Sequence, residues 1–411
     1  MTSRTSIAAL GAWLLVALYY FYQYALRSAP SVMMPQLTEA FGVNALGVSA
    51  IVGMFYYGYS PFNLVAGASI DRFGARRIIP IGAVLVGIGA LLFGASNVTA
   101  ANIGRFLQGA GGAFAIVGAV YLINKNFPVS VAASFIGATQ MFGMAGGSAG
   151  QFFVGPMITG GLSWNRFWIY SGVVGLAIGA LLLLLLPKEK SGMPSGGGGW
   201  ASLFRSLKTV FVNPQSILCG LIAGLLFIPT TILAMTWGVR FLQEARGREY
   251  DIAVGLAATV PLGWMIGCPL LGFISDRLGR RKPVLISGTL MLLAAVAWIL
   301  FGDPAIFRGP MVGILMGVAS GAAMLPTTII KEANPPQLAG SATGVVNFIN
   351  FSLSALLGPV FGARLTRSSG DTEVIGLAHH QAGFTPLLYG IVVALILSFL
   401  LKETGPAKKK A

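Results

Sequence analysis

The chain has 411 residues, of which 55% are hydrophobic and only 9% are charged. Soluble domains carry about 25% charged residues, so this composition excludes a water-soluble globule of this size. Glycine, with 56 residues, is roughly twice as frequent as average, which favours closely packed membrane helices over disorder. Cys219 and Cys268 lie in apolar stretches, so we expect no disulfide framework.

Twelve apolar segments are long enough to cross a bilayer, which takes about 20 residues each. Helices 1 to 6 are predicted at 7–35, 47–68, 78–96, 100–122, 130–157 and 166–186. Helices 7 to 12 are predicted at 214–241, 251–273, 283–301, 308–330, 338–364 and 383–401. The sequence therefore predicts an all-α membrane protein with two six-helix halves.

One long polar break separates the two halves. It contains Lys188, Lys190 and a run of glycines at 196–199, a composition typical of linkers. Within it, 200–211 is predicted to form an amphipathic helix at the membrane surface. We therefore predict an N-terminal six-helix bundle at 1–187, a cytoplasmic linker at 188–212 and a C-terminal six-helix bundle at 213–411.

A charged motif occurs twice, each time after the second apolar segment of a half. The first copy consists of Gly67, Asp71, Arg72, Gly74, Arg76 and Arg77. The second copy has the same spacing and consists of Gly272, Asp276, Arg277, Gly279, Arg280 and Arg281. Glycine permits a tight turn between helices, and basic residues anchor the loop at the inner interface. The repeat indicates that half of the protein was duplicated.

The motif resembles the loop signature of the major facilitator superfamily, found between helices 2 and 3 and between helices 8 and 9. The resemblance implies two pseudo-symmetric six-helix halves and transport by alternating access. We expect the repeated Asp and Arg loops to hold the inner side closed in the outward-facing state. Lys331 and Glu332, at the inner end of helix 10, are expected to form an ion pair at this inner gate.

Basic residues are distributed unevenly between the two sides of the membrane. With Met1 inside, inner loops and tails hold 18 of the 27 Lys and Arg residues, outer loops and helix ends hold 7, and 2 lie within spans. This bias places both termini in the cytoplasm, and a bacterial inner membrane is the expected location. Topology and contact with anionic lipid account for most of the net charge of +15, so we predict no nucleic-acid partner. We expect a monomer.

Arg27 is one of the two cations within spans, and it lies in helix 1. Helical spacing places Tyr20, Gln23, Tyr24 and Ser31 on the same face. A charge at this depth is costly without a partner or a cavity, and a guanidinium matches a carboxylate with two hydrogen bonds. We predict that Arg27 binds an anion and that its neighbours shape the pocket. The alternative is that Arg27 lies near the outer interface or binds a backbone carbonyl.

Helix 1 is also similar to that of the organophosphate:phosphate antiporter branch of the superfamily, at Tyr19, Tyr20, Arg27, Pro35 and Phe41. In that branch, a second arginine in helix 7 helps to hold a phosphate. Here Arg240 lies only near the outer end of helix 7. A substrate with a single carboxylate, or a zwitterion, is therefore favoured over a doubly charged phosphate ester.

Further candidates are distributed over both halves. Arg105, the second cation within a span, and Gln108 lie in a string similar to the R-x-x-Q-G-x-G of helix 4, where the arginine serves helix packing or proton coupling. Uncharged polar residues of the C-terminal half are assigned to the pocket: Thr230, Thr231, Trp237, Asn347 and Asn350. Hydrogen bonding between helices is an equal alternative for these residues, and the favoured one for the threonines.

All twelve acidic residues are predicted in loops, tails or helix ends, and His379 and His380 in a solvated outer loop. Exchange or facilitated diffusion without protons therefore stays open, as does symport in which the substrate's own carboxylate takes the proton. The sequence shows no nucleophile with a base, no metal cluster and no phosphate-binding loop. We predict no enzyme and no cofactor or metal site.

These observations together predict a secondary transporter of a small organic anion or zwitterion. An exporter of hydrophobic drugs is the first alternative, although the missing acidic residues disfavour cationic drugs. A transport-dead membrane sensor or scaffold with the same fold is the second. The identity of the substrate, the direction of flux and any coupling ion stay open.

Overall fold

The structure is a computed structural model that describes residues 7–187, 200–303, 310–369 and 376–405. Within these ranges the chain consists of helices and short turns, without strands. Helices 1 to 6 span Ile7–Ser28, Ala45–Phe73, Ala75–Phe93, Val98–Asn126, Val129–Phe152 and Trp164–Leu185. A 3₁₀ turn, Ala29–Val32, extends helix 1, a short helix, Val154–Thr159, extends helix 5, and Met34–Phe41 forms a separate short helix.

The C-terminal half contains two interrupted helices. Helices 8, 9, 11 and 12 span Tyr250–Leu278, Lys282–Phe301, Ala339–Ser369 and Leu377–Leu400. Helix 7 consists of Pro214–Ile228, a π-helical segment Pro229–Ala234 and an outer segment Gly238–Glu244. Helix 10 consists of Met311–Ser320, a 3₁₀ turn Gly321–Met324 and Leu325–Glu332. The α-helical pattern of helix 7 changes at Pro229 because proline lacks the N–H that the pattern requires.

Ten of these helices are long and apolar enough to cross a membrane, and an eleventh is added if Met34–Phe41 and Ala45–Gly67 are taken as one bent span. Helix 5, the remaining member of the N-terminal six, is rich in glycine and packs between helix 1 and helix 8. The predicted all-α fold with two groups of six helices is confirmed. A helix also occupies Trp200–Val212, while the rest of the predicted linker, 188–199, lies outside the described residues.

The two halves meet along helices 2 and 11 and along helices 5 and 8. We call the face with the loops 2–3 and 8–9 the inner face, following the predicted topology, and the opposite face the outer face. Both loops turn through a glycine with positive φ, at 83° for Gly74 and 60° for Gly279, a conformation that side chains with a Cβ disfavour. The repeated glycines thus keep the connections between neighbouring helices short.

Candidate functional site

A small cavity of about 40 Å³ lies between the two halves. One water molecule needs roughly 10–15 Å³ of such space, so the cavity accommodates only a few water molecules. Polar residues of both halves line it, among them Tyr20, Tyr24, Gln140, Asn347 and Asn350. In this structure the cavity is therefore too small for an organic molecule.

Arg27 lies beside this cavity inside a cage of aromatic rings, and only 2% of its surface is exposed. The N-terminal half contributes four rings to the cage. Their distances from the guanidinium carbon are 4.9 Å for Tyr24, 5.3 Å for Phe55, 4.8 Å for Tyr56 and 5.7 Å for Tyr59. The C-terminal half closes the cage with Phe351 at 5.1 Å and Phe227 at 5.6 Å.

The hydrogen bonds of Arg27 are incomplete. Its Nε donates to Tyr56 Oη at 3.3 Å, whereas Nη1 and Nη2 have no hydrogen-bond partner among the described residues. The six rings supply cation–π attraction, but they accept no in-plane hydrogen bonds from the four remaining N–H groups. The arrangement is a buried cation with unused donors, which is the chemistry that an anion satisfies.

Only some of the predicted pocket residues line the cavity. Tyr20, Tyr24, Asn347 and Asn350 do. Tyr20 Oη donates to Gln140 Oε1 at 2.8 Å, and Asn350 Oδ1 is buried without a partner among the described residues. These side chains surround one space from opposite halves, so both halves contribute polar groups to it.

Two other residues assigned to the pocket lie outside the cavity lining in this structure. Gln23 is buried against Gly112 of helix 4. Ser31 donates to Ser28 O at 2.7 Å at the outer end of helix 1. Both lie outside the cavity lining, because helix 1 turns these side chains toward neighbouring helices.

The predicted pocket residues of helix 7 also lie outside this cavity lining. Thr230 Oγ1 accepts a hydrogen bond from Trp264 Nε1 at 2.8 Å, and Thr231 Oγ1 donates to Ile228 O at 3.2 Å. Trp237 is buried near the outer end of the helix, next to Phe384. None of the three lines the cavity. Thr230 makes a hydrogen bond between helices 7 and 8, as its alternative role expects, whereas the bond of Thr231 stays within helix 7.

Apart from Tyr24, the sequence reading missed the aromatic residues that enclose Arg27. Phe55, Tyr56 and Tyr59 form a dense aromatic run in helix 2, which was a visible signal. Phe227 and Phe351 are single phenylalanines in apolar helices, and no local pattern distinguishes them from lipid-facing residues. Only the packing of the two halves brings them to the guanidinium.

Arg105 is completely buried and bound entirely to neutral acceptors. Its Nη1 donates to Leu26 O at 3.2 Å and to Gln108 Oε1 at 2.7 Å, while Nε and Nη2 both donate to Val52 O at 3.3 Å. The carbonyl of Leu26 is available because residue 30, four positions later, is a proline without an N–H. Arg105 thus ties helix 4 to helices 1 and 2.

The second copy of the repeated motif forms ion pairs at the inner end of the C-terminal half. Arg281 binds Asp276 at 2.5 Å and Glu332 at 2.8 Å. The predicted Lys331–Glu332 ion pair is wrong, because Glu332 is directed toward Arg281 in the loop between helices 8 and 9. Burial lowers the pKa of Arg281, but hydrogen bonds to the two carboxylates outweigh it and raise the pKa.

The chain after helix 12 joins this cluster. Glu403 accepts the backbone N–H of Arg281 at 2.7 Å and that of Lys282 at 3.1 Å. Thr404 Oγ1 donates to Glu332 Oε2 at 2.6 Å. All of these partners belong to the C-terminal half. In the first copy, the side chains of Asp71 and Arg72 lie outside the described residues.

Three hydrogen bonds join the halves near the outer face. Tyr250 Oη donates to Val32 O at 2.5 Å, and Ser148 Oγ donates to Ala258 O at 2.8 Å. Gln151 Nε2 donates to Ala234 O at 3.0 Å, at the end of the π-helical segment. We call these three bonds the outer clasp. They hold helices 1 and 5 against helices 7 and 8, so the outer ends of the halves are tied together.

His380 was predicted in a solvated loop, and this prediction is wrong. Helix 12 begins at Leu377, earlier than predicted, and His380 is completely buried in its first turn. Its Nε2 lies 3.0 Å from Glu244 Oε2, and Glu244 Oε1 accepts from Arg240 Nε at 2.6 Å. Burial raises the pKa of Glu244, but hydrogen bonds from His380 and Arg240 outweigh it, so the pKa lies below its usual value.

Several known proteins have sequences similar to that of this chain. The Probable sulfoacetate transporter SauU of Cupriavidus necator is 22% identical over 424 residues, which cover 96% of this chain and 95% of that protein. The Hexuronate transporter of Bacillus subtilis is 27% identical over 287 residues, 66% of each chain. Other relatives, at 24% identity, are named as a multidrug resistance protein and a membrane sensor protein.

The fold also matches a solved structure, that of a bacterial homologue of the human lysosomal transporter Spinster in an inward-facing and unoccupied conformation. The TM-score is 0.74 at 16% identity, over 97% of this chain and 98% of that chain. The sequence model of the Major Facilitator Superfamily matches residues 16–359, which is most of the chain. The duplicated loops, the two six-helix halves and these matches lead to one conclusion: the chain belongs to the major facilitator superfamily of transporters.

Proposed function

We propose that this transporter moves a small organic anion by alternating access and that Arg27 binds the acidic group of the substrate. The supporting observation is the guanidinium of Arg27, which is buried between the halves with Nη1 and Nη2 unpartnered. A buried charge of this kind is costly unless its function supplies a partner. A carboxylate or a sulfonate offers two oxygens in the plane of the guanidinium fork.

The cage explains how the site becomes available during the transport cycle. Four of its rings belong to the N-terminal half, which also carries Arg27, and two belong to the C-terminal half. When the halves separate, Phe227 and Phe351 move away from the guanidinium, and its Nη atoms become accessible. When the halves close again, the rings remove water and strengthen the interaction with the bound anion.

The remaining polar groups of the cavity bind the neutral part of the substrate in this proposal. Gln140 lies on the N-terminal side, and Asn347 and Asn350 lie on the C-terminal side. Amide side chains both donate and accept hydrogen bonds, which suits the hydroxyl groups of a hydroxy acid or a sugar acid. One buried cation favours a singly charged substrate. Among the relatives, the hexuronate transporter is named for a sugar acid with one acidic group, and the probable sulfoacetate transporter for an acid with two, so their names support an organic anion as the substrate but not its charge.

In this proposal the protein works as a monomer in a bacterial inner membrane, with both termini in the cytoplasm. The bundles at 1–187 and 213–411 move relative to each other, joined by the linker at 188–212. The bias of basic residues toward the inner side supports this orientation. The cluster around Arg281 keeps the inner end of the C-terminal bundle rigid during this movement.

The test is ligand-induced thermal stabilisation of the purified protein. Glucuronate and sulfoacetate are compared with glucose, which resembles glucuronate but has no acidic group. We expect the two anions to raise the unfolding temperature and glucose to have no effect. Loss of a hydrogen-bonded charged contact costs about 1.5–3 kcal/mol, so we expect Arg27→Lys to bind the two anions roughly 10–100-fold more weakly. Arg27→Met should show no rise in unfolding temperature with either anion.

The exposed residue Arg364 provides the control, since Arg364→Met also removes one positive charge but lies on the surface of helix 11. This variant should keep the full response to anions. An undiminished anion response in Arg27→Met would remove Arg27 from the binding site. Stabilisation by hydrophobic or cationic drugs alone would replace the anion proposal with that of a drug exporter.

A further inference from the structure

A buried cluster of titratable groups lies near the outer face, away from the cavity. His380 of helix 12 is completely buried and contacts Glu244 at the end of the outer segment of helix 7. Phe241 and Phe384 enclose the imidazole, with ring centroids at 5.5 and 5.8 Å. Its second nitrogen, Nδ1, is buried and has no hydrogen-bond partner among the described residues.

The protonation state follows from the hydrogen bonds. An ionised carboxylate only accepts hydrogen bonds, so Nε2 of His380 carries the proton that faces Glu244. Nδ1 is then a free acceptor, which is a vacant position for one proton. Glu244 is already balanced by Arg240, with which it forms a 2.6 Å ion pair. A proton on Nδ1 would therefore leave one net positive charge in the cluster.

In the part of the chain that the structure describes, the other charged groups near His380 do not provide this balance. His379 accepts the backbone N–H of Gly376 through its Nδ1. Arg246, beyond helix 7, donates to Ile299 O of helix 9 and interacts with Asp303. On helix 11, Arg364 and Arg367 are exposed. An imidazolium at 380 would thus have an Nδ1–H donor without an acceptor among the described residues as long as the cluster stays closed.

The cluster is connected to the outer clasp through helix 7. The outer segment, Gly238–Glu244, contacts both the 3₁₀ turn Ala29–Val32 of helix 1 and helix 12. Three residues separate it from Ala234, whose carbonyl accepts the bond from Gln151. Movement of this segment therefore changes the surroundings of His380 and the closure of the outer side together.

We propose that His380, held by Glu244, is a proton-binding site that couples acidity on the outer side to opening of the outer clasp. In the closed state, a proton at Nδ1 finds no acceptor within the described ranges and adds a net positive charge to the cluster. In the open state, water reaches the imidazole and solvates the Nδ1–H. The proton therefore binds more favourably to the open state and, by linkage, shifts the population toward it. The site depends on the transporter fold and not on the identity of the substrate.

The experiment measures opening without any substrate. Val254 is 3% exposed and packs against Gly155 between the outer ends of the halves, so Val254→Cys reports on opening. Cys219 and Cys268 are first replaced by alanine. The labelling rate with a membrane-impermeant thiol reagent is measured in proteoliposomes between about pH 5.5 and 8, the range of histidine titration. The exposed outer-loop variant Ser163→Cys corrects for the pH dependence of the reagent.

We expect the corrected labelling rate of Val254→Cys to rise several-fold on acidification of the outer side. His380→Gln, which keeps an N–H for Glu244 but does not titrate, should lose this pH dependence. His379→Gln should keep it. A rate that stays constant with pH, or a pH response that survives in His380→Gln, would overturn the proposal.

A second measurement detects the proton itself. The chain has two histidines, so His379→Gln leaves His380 as its single histidine. Nitrogen NMR of the protein with labelled imidazole should show the Nε2–H form at neutral pH and the imidazolium at low pH. It should follow the same pH midpoint as the labelling rate. An imidazole that stays neutral down to about pH 5, or that titrates without any change in labelling, would contradict the proposed coupling.

Discussion

Two buried arginines differ in what surrounds them, and the difference separates a binding role from a structural one. Arg105 donates to the carbonyls of two neighbouring helices and to Gln108. Arg27 has a single hydrogen bond, to Tyr56, and two nitrogens without partners among the described residues. A satisfied buried charge contributes to stability, whereas an unsatisfied one reduces it.

This contrast predicts opposite effects on stability. Arg105→Leu leaves the carbonyl of Leu26 without a donor and should destabilise the protein by about 3 kcal/mol. Arg27→Met removes a poorly satisfied charge and should leave the stability of the ligand-free protein unchanged or raise it slightly. Thermal unfolding of the two variants without ligand is the measurement. Equal losses in both would show that Arg27 has a structural role that its visible contacts do not explain.

Helices 2 and 4 of the N-terminal half pack so closely that their backbones touch. A Cβ added at Gly58 would overlap the carbonyl oxygen of Phe106 and lie 2.9 Å from the backbone nitrogen of Ala110. In the same way, a Cβ added at Gly109 of helix 4 would overlap the backbone of Phe55 of helix 2. This packing sets the positions of the aromatic residues of helix 2 around Arg27. The small residues are therefore part of how the fold builds the cage.

A matched pair of glycines on helix 2 tests this packing. Gly58→Ala should lower the stability by roughly 1–3 kcal/mol, because neither backbone can move away freely. Gly53→Ala should be neutral or raise it by about 0.5–1 kcal/mol, since nothing lies within 4 Å of the added methyl group and alanine favours the helix. Thermal unfolding of both variants decides the question, and similar values would disprove the close-packing argument.

At the scale of the whole molecule, the outer ends of the halves are joined while the central cavity is too small for an organic substrate. In the proposed alternating-access cycle, this clasp opens and closes again. Tyr250 and Gln151 are the side chains that supply two of its three hydrogen bonds. They act by setting the balance between two conformations and need no contact with the substrate.

The double variant Tyr250→Phe with Gln151→Leu removes both bonds and should favour the open outer side. A neutral hydrogen bond contributes about 1 kcal/mol, so the population should shift by roughly 30-fold at most. Labelling of Val254→Cys at neutral pH measures the shift. Ser398→Ala is the control, because it removes a buried hydrogen bond within helix 12 and should not change the labelling. No increase in the double variant would exclude this clasp as the outer gate.

The sequence by itself determined the class of protein and the general fold. Apolar segments of membrane-spanning length predict helices because the bilayer leaves no other partner for backbone groups. The repeated Asp and Arg loops reveal the two halves, because a duplicated unit keeps its turn chemistry. Arg27 was identified from its residue type alone, since a charge inside a span is rare and costly.

Only the tertiary structure decided which side chains meet. Two of the six rings of the cage come from Phe227 and Phe351, at least 168 residues beyond the four rings of the N-terminal half, and no local pattern links them. His380 was assigned to a loop because helix 12 begins with polar residues, which are not typical of a membrane span. The partner of His380, Glu244, lies on another helix. A local sequence pattern indicates whether a segment can cross the bilayer. A binding site depends on the distances between segments, and these distances are determined by tertiary packing.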